Sequence, residues 1–173
     1  RVSVTTDFPN SSIIKVITDV KELRVRIPVW CDNFECNKEY TVKKGYAVIS
    51  DTKGIIEINL NMIPVLVEAN SLVEDAAGKV ALMYGPIVYC IEGIDNGGKL
   101  SPLYVDGNLK STVSYDEYFG INTITVKGFE KINSGLYSKY NSNNYKDTEL
   151  KFIPYYGFAN RGETDMQVWV KVK

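Results

Sequence analysis

Glu163 and Asp165 lie two apart, Asp116 and Glu117 are adjacent, and Cys31 and Cys36 are separated by four residues. These spacings are where the chain could do chemistry. Paired carboxylates are the machinery of glycoside hydrolysis, which needs two of them roughly 5 to 9.5 Å apart. With 21 acidic residues in the chain, however, neighbours of this kind arise without any catalytic purpose. The two cysteines stand near a metal-ligand spacing, but the sequence offers no histidine and no second cysteine pair. Ordinary packed thiols are the simpler reading of Cys31, Cys36 and Cys90. Three is also an odd count that cannot form a complete disulfide set, so the redox compartment stays open. The absence of histidine removes the commonest general base of acyl-transfer triads. Neither a complete GxxxxGK[ST] phosphate cradle nor a GxGxxG turn is present, since Gly93–Lys99 runs on into Leu100.

The aromatic residues are a stronger signal. Tyrosine supplies twelve of them, and the segment IPYYGFANRGETDMQVWV, residues 153–170, sets Tyr155, Tyr156 and Phe158 beside Asn160 and Arg161. Trp169 falls on the polar side of the closing alternation, and Trp30 ends the earlier stretch LRVRIPVW. Trp30, Tyr155, Tyr156, Asn160, Arg161 and Trp169 are therefore candidate interface or sugar-contact residues. Three readings stand in order of simplicity. Alternate aromatics fill the space between two sheets. An outward Trp169 is covered by another domain or subunit. Flat rings beside planar hydrogen-bonding groups grip a sugar.

The elements that must hold these side chains are strands. In ELRVRIP, Leu23, Val25 and Ile27 share one face while Glu22, Arg24 and Arg26 share the other. GIIEINLNM places Ile56, Ile58, Leu60 and Met62 inward, and MQVWVKVK reads as one closing strand with Val168, Val170 and Val172 on a single side. DFPNSS, DTKG, DNGG and SNNYKD separate such runs with turn-forming residues. SLVEDAAGK alone hints at a helical turn, capped by Ser71 and ended by Gly78. Residues 131–149 read as a long exposed loop. Many short strands and frequent turns predict an all-β antiparallel β-sandwich, jelly-roll-like, with at most one short helical turn. A single domain over 1–173 is expected, with 93–150 as a reduced second sandwich or loop-rich insertion.

The balance of 45% hydrophobic and 24% charged residues suits a soluble globular chain large enough to do without disulfide or metal staples. A net charge of −1 gives no reason to expect nucleic acid or an anionic membrane as partner. The longest apolar stretch, ALMYGPIVYCI, is far short of the roughly 18 to 20 residues of a membrane span. RVSVTTDFP alternates from its first residue, so Arg1 reads as a boundary within a longer chain, and cytoplasm and secretion both stay open.

Four stretches in order, LRVRIPVWC (23–31), GKVALMYGPIVYCIE (78–92), DNGG (95–98) and IPYYGFANRGETDMQVWV (153–170), resemble the C-terminal portion of the bacterial β-L-arabinofuranosidase family of glycoside hydrolases. Phe158 stands where that family usually shows Trp. The resemblance implies an N-terminal helical barrel that holds the active site, followed by β-sandwich domains. It implies that zinc, the cysteine nucleophile and the acid/base glutamate all belong to the barrel, so no catalytic, cofactor or metal residue carries over to this chain. It implies further that this chain is a non-catalytic accessory sandwich bracing the barrel, with a homodimer as a further partner. The alternative is a carbohydrate-binding module for arabinose-containing glycans. Arg161, on this reading, holds backbone carbonyls or an acidic partner at the corner.

Overall fold

The computed structural model describes residues 1–132 and 135–173. The chain divides into two compact units, Arg1–Ile63 and Pro64–Lys173, so residues 93–150 lie wholly inside the second.

In the first unit, β1 (Val2–Thr6), β2 (Ile13–Thr18), β4 (Glu35–Cys36) and β7 (Ile55–Asn59) form one sheet in the order β1–β2–β7–β4. β3 (Leu23–Arg26), β5 (Thr41–Lys43) and β6 (Tyr46–Ile49) form another, ordered β3–β6–β5. Alternation decides what each sheet buries. Val16, Ile56 and Ile58 of the first sheet meet Ile49 of the second, with Leu23, Val25 and Trp30 packed around them. Burying a side chain of this size stabilises by about 1.5 to 3 kcal/mol. As the sequence pattern predicts, Ile56, Ile58, Leu60 and Met62 are all buried.

The second unit holds β8 (Pro64–Glu68), β9 (Lys79–Tyr84), β10 (Ile87–Glu92), β11 (Leu103–Val105), β12 (Ser111–Asp116), β13 (Ile121–Lys131), β14 (Tyr145–Pro154), β15 (Met166–Gln167) and β16 (Val170–Val172). Pairing runs β15–β10–β14–β13–β11–β16–β9–β8, with β12 on β13, and all of it is antiparallel except β11 with β16. Two strands change partners along their length. β10 pairs with β9 at Ile87 and Val88, then with β14 from Tyr89 onward. β13 pairs with β12 over 121–126, then with β11 over 128–130. Gly128 sits at that exchange, where an added Cβ would stand 2.6 Å from the Tyr104 carbonyl oxygen. Only glycine lets the two backbones approach so closely. The core between these strands includes Tyr89, Ile91, Val105, Ile124, Leu150 and Phe152.

Three local expectations change. MQVWVKVK is two short strands, not one: β15 pairs with β10, the chain bends at Val168 and Trp169, and β16 pairs with β9 and β11. Period two is uninterrupted in the sequence, but the two halves serve different neighbours. The loop predicted over 131–149 is shorter, because β13 runs to Lys131 and β14 starts at Tyr145; Asn133 and Ser134 lie outside the described residues. The helical hint is a 3-10 turn, Glu74–Ala76, without a side-chain cap. Asn70, not Ser71, organises its approach, with Oδ1 accepting from Leu72 N–H and its carbonyl from Val73 N–H. A second 3-10 turn, Tyr155–Gly157, follows β14 directly.

Candidate functional site: an ion-paired corner

β10 is apolar until its last residue, Glu92, which is fully buried. A carboxylate with no access to water survives only if its oxygens are occupied. The turn after the second 3-10 segment supplies that. Ala159 N–H donates to Glu92 Oε1 at 2.8 Å, and Arg161 Nη2 donates to Oε2 at 2.6 Å. Ala159 itself takes a left-handed φ of 62°, which turns the chain sharply just after this bond.

Arg161 also grips Asp95, through Nη1 to Oδ1 at 2.9 Å and through a shorter Nη2 contact to Oδ2. One planar guanidinium thus holds two acids from the strand end and the DNGG turn. The Asp95 carboxylate, joined by that of Glu92, outweighs burial and raises the Arg161 pKa further, so the group is always charged. Its flat face lies 4.9 Å from the centre of the Phe119 ring. Phe119 in turn crowds position 157, where an added Cβ would stand 3.2 Å from ring carbons.

The DNGG turn is stitched to β14 as well. Asn96 Nδ2 donates to the Glu92 and Lys151 carbonyls, and Asn96 Oδ1 accepts from Lys151 N–H. Gly93 N–H donates to the Asp165 carbonyl and Ile94 N–H to Thr164 Oγ1, which ties the approach to β15 onto the same turn.

The residues singled out in the sequence are distributed unevenly. Tyr155 and Tyr156 are 50% and 64% exposed on the second 3-10 turn, and Asn160 is exposed while its carbonyl accepts from Tyr118 Oη at 2.9 Å. These three and Arg161 occupy one corner, together with Tyr118 and Phe119, which sequence reasoning passed over. Trp169 is half-buried at the bend between β15 and β16. Trp30 belongs to the first unit, where it stacks on Phe8 at 6.5 Å and packs against the core. Glu92 and Asp95 were also missed. The signal for Glu92 was there: a lone charge closing an unbroken apolar strand needs a buried partner.

Of the carboxylate pairs, it is Asp116 whose side chain is tied into the fold. Asp116 accepts from the Tyr118 and Phe119 N–H groups and from Lys151 Nζ at 2.9 Å, and that lysine holds its pKa below the usual value. Glu163 and Asp165 are exposed, and the Asp165 carbonyl serves Gly93. The cysteines do not suit a metal. Cys31 Sγ donates to the Leu60 carbonyl, and burial, with the Glu92 charge adding to it, pushes the Cys90 thiol up to about 12. Among the described residues no group of three His, Cys, Asp or Glu side chains could hold a metal ion. Among the same residues no helix is long and apolar enough to cross a membrane.

Fold and corner together define an all-β domain whose buried charges lock a turn onto a strand end. The glycoside hydrolase family 127 C-terminal domain matches residues 57–171, and the chain belongs to that family. It is 32% identical over 124 residues to the non-reducing end β-L-arabinofuranosidase of Bifidobacterium longum subsp. longum, a match covering 66% of this chain and 19% of that protein. Among solved structures, it is similar to a family 127 β-L-arabinofuranosidase from Geobacillus stearothermophilus T6, with 30% identity and a TM-score of 0.87 over 99% of this chain and 30% of the enzyme. A second solved family 127 β-arabinofuranosidase gives 27% identity and a TM-score of 0.80, over 99% of this chain and 31% of that one. The chain therefore spans about a fifth of the curated relative and under a third of the solved ones.

Proposed function

We propose that this chain is a non-catalytic accessory β-domain of a β-L-arabinofuranosidase-like glycoside hydrolase, bracing a helical-barrel catalytic domain in the same parent protein. The observation that carries this reading is one of proportion. The family match is to a C-terminal domain, and the chain accounts for 30% of the similar Geobacillus enzyme. The corner chemistry supports it. Glycoside hydrolysis needs one carboxyl free to give a proton and another free to attack or activate water. Glu92 and Asp95 instead commit their oxygens to Arg161 and the Ala159 amide. Tyr155, Tyr156 and Asn160 then form the contact edge beside this locked corner. Trp30 and Trp169, both half-buried, are further contact residues. Zinc and the reacting groups belong to the barrel.

The test is direct. The 173-residue chain, incubated with a chromogenic β-L-arabinofuranoside, is expected to release no more chromophore than buffer. Turnover above buffer that rises with protein concentration would overturn the accessory reading.

A further inference from the structure

One face of the sheet in the second unit gathers lysines that rest on aromatic rings. Across four adjacent strands, β13, β11, β16 and β9, the register places Phe129 opposite Tyr104, Tyr104 opposite Lys171, and Lys171 opposite Lys79. With neighbouring strands about 4.8 Å apart, this row runs on the order of 14 Å across the sheet. Lys131 and Tyr145 form the next pair on the same face.

The lysines are held in place by rings. Lys173 Nζ stands 4.2 Å from the centres of both Phe129 and Tyr145, Lys171 Nζ is 5.3 Å from Tyr104, and Lys131 Nζ is 5.9 Å from Tyr145. Tyr104 and Tyr145 meet edge to face at 5.2 Å. Backbone carbonyls anchor two of the ammonium groups, Lys171 on Ser101 and Lys79 on Asp75, leaving each with donors to spare. The acids facing this side gather at one end. Asp106 and Asp147 both lie 3.8 Å from Lys127, Asp147 stands opposite Phe129 at the β14 end of the row, and Glu149 pairs with Lys127 in register. Among the described residues, Lys131, Lys171 and Lys173 form no ion pair with a carboxylate.

Ammonium groups fixed by aromatic faces have already lost most of their rotamer freedom, so an incoming anion orders little on binding. We infer that this lysine–aromatic row, centred on Lys131, Lys171 and Lys173, is a binding face for an anionic glycan carrying uronic-acid carboxylates on successive sugars. A cluster of cations spread over adjacent strands suits a polymer that carries repeated charge. The chain's membership of a glycoside hydrolase family makes a sugar polymer the occupant to favour over nucleic acid. The chain's net charge of −1 means that the row is a local feature, not a general basicity. The inference rests on family membership and on this geometry, and it stands or falls separately from the accessory reading.

The experiment is affinity electrophoresis of the 173-residue chain through gels containing polygalacturonate, neutral arabinan or neither, with a single-stranded DNA oligomer as competitor. Retardation by polygalacturonate and not by arabinan is expected. Lys173→Gln and Lys131→Gln should each weaken it about threefold, and a Lys131→Gln/Lys171→Gln/Lys173→Gln triple variant about thirtyfold, as charge-dependent recognition requires. Lys21→Gln/Lys53→Gln, on the other unit, should change nothing. Circular dichroism melting checks each fold, and the two single variants decide the matter if the triple does not fold. No retardation, retardation that survives these substitutions, or displacement by DNA at equal charge concentration would each overturn the proposal.

Discussion

The Arg161 corner and the lysine row are built from the same materials, cations and aromatic rings, within the same compact unit, yet they use them in opposite ways. At the corner the cation is turned inward: Arg161 has 18% of its side chain exposed, Glu92 has none, and two carboxylates neutralise one guanidinium. On the sheet face Lys131, Lys171 and Lys173 lie against rings and, among the described residues, form no ion pair with an acid. Partnered charge inside a fold is answered by its own neighbours, and its removal strands whatever it held. Unpartnered charge at the surface does little for stability and is free for recognition. The distinction between scaffold and site in this domain is therefore one of ion pairing, not of residue type.

The sharpest way to break the comparison is Arg161→Ala. It leaves the fully buried Glu92 and its neighbour Asp95 without their cation, a loss of about 3 to 5 kcal/mol for a broken buried pair. The melting temperature should fall by at least about 6 °C at a cost of this size. An unchanged melting temperature would move Arg161 from scaffold to ligand or domain contact.

A smaller effect comes from Asp116, which shares features of both regions: paired with Lys151 as at the corner, but only partly buried. Lys151 depresses the folded-state pKa of Asp116 below its ordinary 3.8. Its contribution is therefore complete above that value and disappears as pH falls through the lower, folded value. Partial exposure limits it to about 1 kcal/mol or less. Melting curves between neutral and strongly acid pH should show Asp116→Asn losing less stability than the parent sequence below pH 3.8. Identical acid limbs would mean that the Lys151 contact contributes nothing.

The smallest effect belongs to the sheet face. Lys173→Gln should shift unfolding free energy by no more than about 0.5 kcal/mol, within the range of ordinary surface changes. A loss as large as that at the corner would make the lysine row another piece of scaffold.

Much of the architecture was legible in advance because local patterns carry it. The alternation in GIIEINLNM marked Ile56 and Ile58 as core, and both are fully buried. The turn-rich DNGG segment is a turn, stitched by Asn96 to the neighbouring strand. The break at Val168 and Trp169 was not legible, since alternation says which side a residue faces but not when a strand changes partner. Of the corner, Arg161 and its need for a partner could be read; the identity of the partners could not. Glu92 and Asp95 stand 69 and 66 residues away; the apolar run before Glu92 marks it as needing a partner, but no local rule joins it to Arg161 or singles out Asp95.

The sequence alone determined the strand content, the buried faces and, through four ordered stretches, the resemblance to the family. Tertiary structure alone decided which charges cancel and which remain. Side-chain periodicity is a property of consecutive residues, whereas neutralisation depends on strand order and register, which bring Arg161 to Glu92 and line up lysines from separate strands beside rings from others.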